Sequence, residues 1–338
     1  MSRVTVNQTI TTLSGATPGV LPSVLAQATK PALINGLVSD WPLVQHAQQS
    51  VTAADAYLRQ FYQGASVGVF CGSEANDGRF FYNEDLTGFN FERQMEKLDQ
   101  VLDRILEQVD QPHPRSYYVG STTVDACLPG FRTENDLDFG DLNPLTSIWI
   151  GNRSRIAAHY DVPDNLACVA AGRRRFTLFP PDQLENLYVG PLDFTPAGQP
   201  ISLVDFHQPD FQRFPRFKQA LESAYVVDTA PGDAIFIPSM WWHHVESLDN
   251  LNVLVNYWWR NTPDYLGPPI HVLHHALLSL RDLPLEQKQA WRGILDHYIF
   301  NENTSLDHIP IQSRGSLGEL DADGARKLRA LLLNRLNR

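Results

Sequence analysis

Cysteine is scarce in this 338-residue chain: Cys71, Cys127 and Cys168 are the whole supply, an odd number with no Cys-x-x-Cys spacing. That excludes a disulfide-stapled scaffold and reads as three thiols in a reducing compartment. Positive charge is short as well, with 27 Lys and Arg against 38 Asp and Glu and a net charge of −11. A nucleic-acid surface calls for a basic patch, so no nucleic-acid partner is expected, while neutral or cationic substrates stay open. No apolar run approaches the roughly 18 residues of a membrane span. "MSRVTVNQTITTLSGATPG" lacks an apolar core of signal-peptide length, so a soluble, cytoplasmic protein is expected. Repeats, low-complexity tracts and long charge runs are missing too. What remains is ordinary globular composition, 43% hydrophobic and 19% charged.

The first hundred residues mix element types. "LPSVLAQATK" reads as a short helix and "PALINGLV" as a strand opened by proline. "SVTAADAYLRQFY" reads as a helix with Ser50 or Thr52 as N-cap. "ASVGVFCG" and "RFFYNED" look like strands around a turn. In "FNFERQMEKLDQVLDRILEQV", Phe91, Met95, Leu98, Leu102, Ile105 and Val109 recur at helical spacing, which predicts one long helix. From residue 116 the pattern becomes short β-type runs between Gly, Pro, Asn and Asp: "SYYVG", "TSIWIG", "NLACVAAG", "RRFTLFPP", "YVVDTAPGDAIFIP" and "NVLVNYWW". Such a series suggests a sandwich or barrel. After residue 262, "HVLHHALLSL", "LEQKQAWRGILDHYIF" and "LDADGARKLRALLLNRLNR" carry helical apolar stripes.

The chemistry concentrates in "AAHYDVPDN". If this stretch is a strand, His159 and Asp161 share a face, because alternate side chains do. A neutral imidazole and a carboxylate converging on one point begin a transition-metal site. A third ligand is available from "IPSMWWHHVESL", where only one of the adjacent His243 and His244 can face inward on extended chain. Two imidazoles and one carboxylate form a facial triad that leaves positions open on Fe(II). The bland alternative for a His-x-Asp pair is a hydrogen bond. Two other groups are decoys on this reading: Asp205 and His207 in a loop-like "DFH", and His271, His274 and His275 on one helical face with no carboxylate beside them. At least two of Trp241, Trp242, Trp258 and Trp259 should be core packing, and Asp164 and Glu246 should play surface or supporting parts.

Three stretches in order, "AHYDVPDNLACVAAGRRRFTLFPPDQLENLY", "VDFHQPDFQRFP" and "PGDAIFIPSMWWHHVESLDNLNVLVNYWW", resemble the JmjC, cupin-8 type 2-oxoglutarate oxygenases, and within them the hypoxia-type asparaginyl hydroxylases. "KPALINGLVSDWPL" resembles the family's N-terminal segment. The resemblance implies a mainly β fold with flanking helices: a double-stranded β-helix (jelly-roll) catalytic domain over 1–262 and a helical dimerisation region over 263–338. It implies Fe(II) held by His159, Asp161 and His243, the first histidine after the paired tryptophans. It implies 2-oxoglutarate as co-substrate near Tyr118, Asn165, Asn256 and Trp258, with Arg174 on its distal carboxylate.

There are departures from that pattern. Arg174 stands where the hypoxia-type hydroxylase has a lysine, a sensible exchange since arginine grips a carboxylate through two parallel hydrogen bonds. It should share a strand face with Phe176 and Leu178, leaving Arg173 and Arg175 on a solvated face. Ile156 replaces a threonine and removes a polar contact to the co-substrate. The implied activity is hydroxylation of a protein side chain of the Asn, Asp or His type, coupled to conversion of 2-oxoglutarate to succinate and CO2. A small-molecule hydroxylase and a non-catalytic metal-binding cupin are the rival readings. No membrane partner is expected, and a homodimer through the C-terminal helices is.

Overall fold

The computed structural model describes residues 8–13, 21–301 and 305–337. Most of the stretch read for a signal peptide lies outside them. The chain divides near residue 260 into two compact units.

The first unit is built on strands β1 (Thr11–Thr12), β2 (Ala32–Ile34), β3 (Ser66–Gly72), β4 (Arg79–Phe80), β5 (Phe91–Lys97), β6 (Ser116–Thr123), β7 (Leu145–Gly151), β8 (Ser154–Tyr160), β9 (Asp164–Ala171), β10 (Arg174–Phe179), β11 (Tyr225–Thr229), β12 (Ala234–Ile237), β13 (Trp242–Ser247) and β14 (Asn252–Trp259). One sheet runs β1-β2-β12-β9-β14-β7-β6-β3-β5 and the other β11-β10-β13-β8-β4. These are the two faces of the double-stranded β-helix that the family resemblance implies.

The central strands of the large sheet are buried on both sides, and strand alternation decides what goes where. On β9 and β14, Leu166, Cys168, Val253, Val255 and Tyr257 pack outward against a helical layer. That layer includes α1 (Leu21–Leu25), α2 (Pro42–Gln49), α3 (Val51–Gln60) and α4 (Leu98–Glu107), whose Leu43, Leu58, Val101 and Ile105 are buried. Two shorter helices follow in the chain, α5 (Val124–Cys127) and α6 (Phe217–Glu222). The intervening Ala167, Val169 and Leu254 face the small sheet, meeting Phe176, Leu178 and Val245. Ser50 caps α3, its hydroxyl accepting from Ala53 N at 3.0 Å.

Some sequence expectations need correction. The long helix expected through "FNFERQMEKL" begins only at Leu98; Phe91–Lys97 is the edge strand β5. Residues 91 and 95 share a face in a strand as well as in a helix, so their spacing could not separate the two. Pairing decides it: β5 runs against β3 from Phe91↔Gly72 to Lys97↔Ser66, and Phe91 stacks on Phe70 at 4.9 Å. Met95 stays 73% exposed, with no helical face to bury it. "RFFYNED" contributes only the two residues of β4, and α2 was not anticipated.

In the second unit, α7 (Ile270–Ser279), α8 (Leu285–Leu295, continued by a wider turn over Asp296–Phe300) and α9 (Ala322–Leu336) follow the apolar stripes. Asp321 caps α9 through Gly324 N at 2.7 Å. Many apolar side chains here are uncovered, including Val272 (70%), Leu278 (77%) and Phe300 (73%). No helix among the described residues is long and apolar enough to cross a membrane.

Candidate metal centre and its cavity

His159 on β8 and His243 on β13 are direct partners across the antiparallel pair, with ring centroids 4.3 Å apart. Asp161 follows β8 by one residue, on the parity that returns its carboxylate to the same side. One donor atom from each of His159, Asp161 and His243 lies within 4.8 Å of the others. His243 Nε2 and Asp161 Oδ2 are 3.6 Å apart. The turn after Asp161 is fastened to the turn before His243. Met240 N donates to Asp161 O (2.8 Å), Ser239 N to Asp164 Oδ1 (2.9 Å) and Ser239 Oγ to Val162 O (2.5 Å). Met240 holds a left-handed backbone, φ 67°, to make that connection.

Both imidazoles are preset. His159 Nδ1 lies 2.9 Å from Ala157 O and His243 Nδ1 3.0 Å from Trp241 O. A carbonyl only accepts, so each Nδ1 carries a proton, which in a neutral ring turns the Nε2 lone pair to the shared space, the form in which imidazole ligates. Burial, reinforced by neighbouring His159, pushes His243 well below the usual imidazole range, against the pull of Asp161. An oriented pair of imidazoles beside one carboxylate suits a divalent transition metal with open positions.

These groups face a cavity of about 800 Å³, mouth included, that also takes in Arg174, Tyr118, Asn165, Asn256 and Trp258. Every residue singled out for the co-substrate therefore reaches one space. Arg174 sits on β10 opposite Thr229 and Ser247, 2% exposed. Its Nε has no partner, and among the described residues no carboxylate pairs with it. Burial lowers its pKa to about 10, eased by Tyr118. Burial likewise raises the Tyr118 phenol far above its usual range. Asn256 Nδ2 donates to Asn165 Oδ1 at 2.7 Å, and Asn256 Oδ1 is left over. Trp258 Nε1 and Trp149 Nε1 are also buried without a partner. Orphaned donors around an unpaired buried cation call for an anionic, oxygen-rich ligand.

Trp149 was missed at the sequence level. It stacks on Tyr118 at 5.6 Å and meets Trp258 edge-on at 6.0 Å. The signal was present in "TSIWIG", since Ile148 and Ile150 pack towards the helices and alternation sends Trp149 the other way. Ile156 lines the cavity alongside Ala157 because the β8–β13 register shifts between His243 and Val245.

The remaining candidates lie elsewhere. His244 stacks on Phe206 at 4.5 Å, on the face away from the triad, and burial pushes its imidazole down to about 4. His207 Nε2 is 2.5 Å from Glu246 Oε2, and Asp205 faces Arg79 and Arg155 at 3.3 Å each. His271, His274 and His275 form no metal cluster among the described residues. Arg173 pairs with Asp249 and Arg175 with Asp228, at 2.8 and 2.6 Å. Trp241, Trp242 and Trp259 are core packing. The three cysteines are buried free thiols.

Comparison with known proteins agrees with this architecture. The model of the cupin-like domain family matches residues 21–265, and the chain belongs to that family. Lysine-specific demethylase JMJ31 of Arabidopsis thaliana is 35% identical over 215 residues, 57% of this chain and 38% of that protein. Human HSPB1-associated protein 1 is 34% identical over 124 residues, covering 36% and 25%. Chicken tRNA wybutosine-synthesizing protein 5 is 32% identical over 148 residues, covering 39% and 43%. The matched stretch thus spans less than half the length of each.

Proposed function

We propose that this protein is an Fe(II)- and 2-oxoglutarate-dependent oxygenase that hydroxylates a protein side chain. The observation that carries this reading is Arg174, a buried cation without a counter-ion among the described residues, in the same cavity as three convergent metal donors. His159, Asp161 and His243 would hold Fe(II). Arg174 would pair with the distal carboxylate of 2-oxoglutarate, and the unpartnered Trp and Asn groups would orient the co-substrate. When bound, iron and 2-oxoglutarate supply the oxidising power, with succinate and CO2 as products. The chain's own part is to bind, to align and to keep water out of an apolar pocket.

Charge argues for the substrate class. With Fe(II) and the dianionic co-substrate in place, Asp161 and Arg174 complete a neutral set. The apolar lining includes Phe70, Phe80, Ile156, Pro196 and Ile201, and Asp161 is the only acid among the described lining residues. A methylated lysine would bring a further cation there with no second carboxylate among the described lining residues to balance it. Among the Asn, Asp and His side chains implied by resemblance, the neutral amide and imidazole fit best. The free thiols favour a reducing, cytoplasmic setting. The exposed apolar faces of α7 to α9 favour a second copy of the chain as partner.

The test is turnover without prime substrate: protein, Fe(II), ascorbate and 2-oxoglutarate, with succinate followed by NMR. Wild type should form succinate, and Asp161→Ala should not. Equal succinate from both, or no binding of 2-oxoglutarate by wild type, would sink the proposal.

A further inference from the structure

Residues 188–190 and 201–203 form the base of a hairpin. Val189 bridges Ser202, Gly190 N donates to Ile201 O (2.9 Å) and Leu203 N to Tyr188 O (3.0 Å). Ser202 N also donates to Ala158 O on β8 (2.8 Å), which fixes this base beside the triad. The tip, residues 191–200, has no regular structure of its own, yet Pro196, Ala197 and Gln199 make one wall of the cavity. Such a segment would be mobile unless something outside the hairpin held it.

Three successive carbonyls in the tip are gripped by Tyr82, just after β4, and Arg93 on β5. Tyr82 Oη donates to Phe194 O at 2.6 Å. Arg93 Nη2 donates to Thr195 O at 3.4 Å and also to Pro196 O. The Arg93 guanidinium lies over the rings of Phe89 (5.0 Å), Phe70 (5.2 Å) and Phe91 (5.8 Å), and Phe194 stacks on Phe89 at 4.6 Å. Arg93 lies on the edge strand β5. Its donors serve the tip, and the aromatic bed aims them. Arg93 is not itself a lining residue.

We propose that Arg93 is a positioning residue that latches the 191–200 tip as a movable wall of the cavity and so gates entry to the triad. The inference rests on the cavity being the co-substrate and substrate site. Loss of the latch should let ligands pass faster in both directions. Affinity should stay as it was, because Arg174 and the triad are untouched.

The experiment uses the full chain loaded with Zn(II) in place of iron, so that nothing turns over. Amide exchange across 191–200 and the association and dissociation rates of 2-oxoglutarate are measured in wild type, Arg93→Ala and Arg93→Lys. Arg93→Ala should raise exchange in the tip by about tenfold, with β8 and β13 unchanged. Both ligand rates should rise while Kd stays within about twofold. Arg93→Lys, which keeps a cation able to reach the carbonyls, should recover most of the difference. Tyr82→Phe, which removes one hydroxyl, should give a smaller rise confined to the same segment and serves if Arg93→Ala folds poorly. Unchanged exchange, a loose tip with unchanged rates, or loosening spread evenly through β3 and β5 would overturn the proposal. If wild type fails to bind 2-oxoglutarate, the functional reading of the cavity falls, whereas the exchange data still decide whether Arg93 holds the tip.

Discussion

Arg174 shows what a single residue exchanges for function. A guanidinium buried to 2% exposure, with its Nε unpartnered and no carboxylate paired with it among the described residues, is costly, and removal of such a charge is commonly neutral or stabilising. Arg174→Met should therefore raise Tm slightly. The same variant should raise the KM for 2-oxoglutarate by roughly 100-fold, since losing charge-assisted bonds to one carboxylate costs about 2–3 kcal/mol. Thermal unfolding and a 2-oxoglutarate titration of uncoupled turnover check the two halves. A Tm that falls, with KM unchanged, would assign Arg174 a structural part only.

At the scale of elements, the turns are what place the site. Gly172, between β9 and β10, has φ +69°, and a Cβ there would come within 2.5 Å of Leu251 O. Gly172→Ala should cost about 2 kcal/mol or more, read as a lower denaturation midpoint, because the opposing atom is backbone and cannot retreat. As the turn leads directly into Arg174, weaker 2-oxoglutarate binding should accompany it. Asp205 ties a loop to β4 and β8 through Arg79 and Arg155. Burial would raise its pKa, but Arg79, the His207 amide and Arg155 hold it below the usual carboxylate range. A depressed folded pKa gives stability that is present above the unfolded value, near 4, and is lost as pH falls through the folded one. The Tm gap between wild type and Asp205→Asn should be widest near neutrality and should close below about pH 4. A gap that does not vary with pH would remove the ion pairs from the explanation.

For the whole molecule, the open question is what covers α7 to α9. Leu278, Ile299, Phe300 and Leu333 are each more than 60% exposed, a concentration of apolar surface that invites association. The full chain should sediment as a dimer, and truncation before Asp321, which removes α9, should give a monomer. A truncated protein that remains dimeric would place the contact elsewhere.

The sequence by itself marked the strands after residue 116, the last three helices and the His159–Asp161 pair, each for a local reason, whereas for a third ligand it offered His243 or His244 and only the family resemblance picked His243. Alternation put His159 and Asp161 on one face, and it separated Arg174 from Arg173 and Arg175. Periodicity marked Leu98 to Ile105 but failed at Phe91 and Met95, where residues four apart satisfy strand and helix alike. The tertiary structure decided what local pattern could not encode. It chose β5 by offering β3 as a partner, and it showed His243 opposite His159 with His244 turned to Phe206. It supplied the carbonyls of Ala157 and Trp241 that orient both imidazoles. It also carried the 191–200 tip to the cavity, where Arg93, about a hundred residues earlier in the chain, holds it: sequence spacing says nothing about which side chain a distant loop's carbonyls will meet.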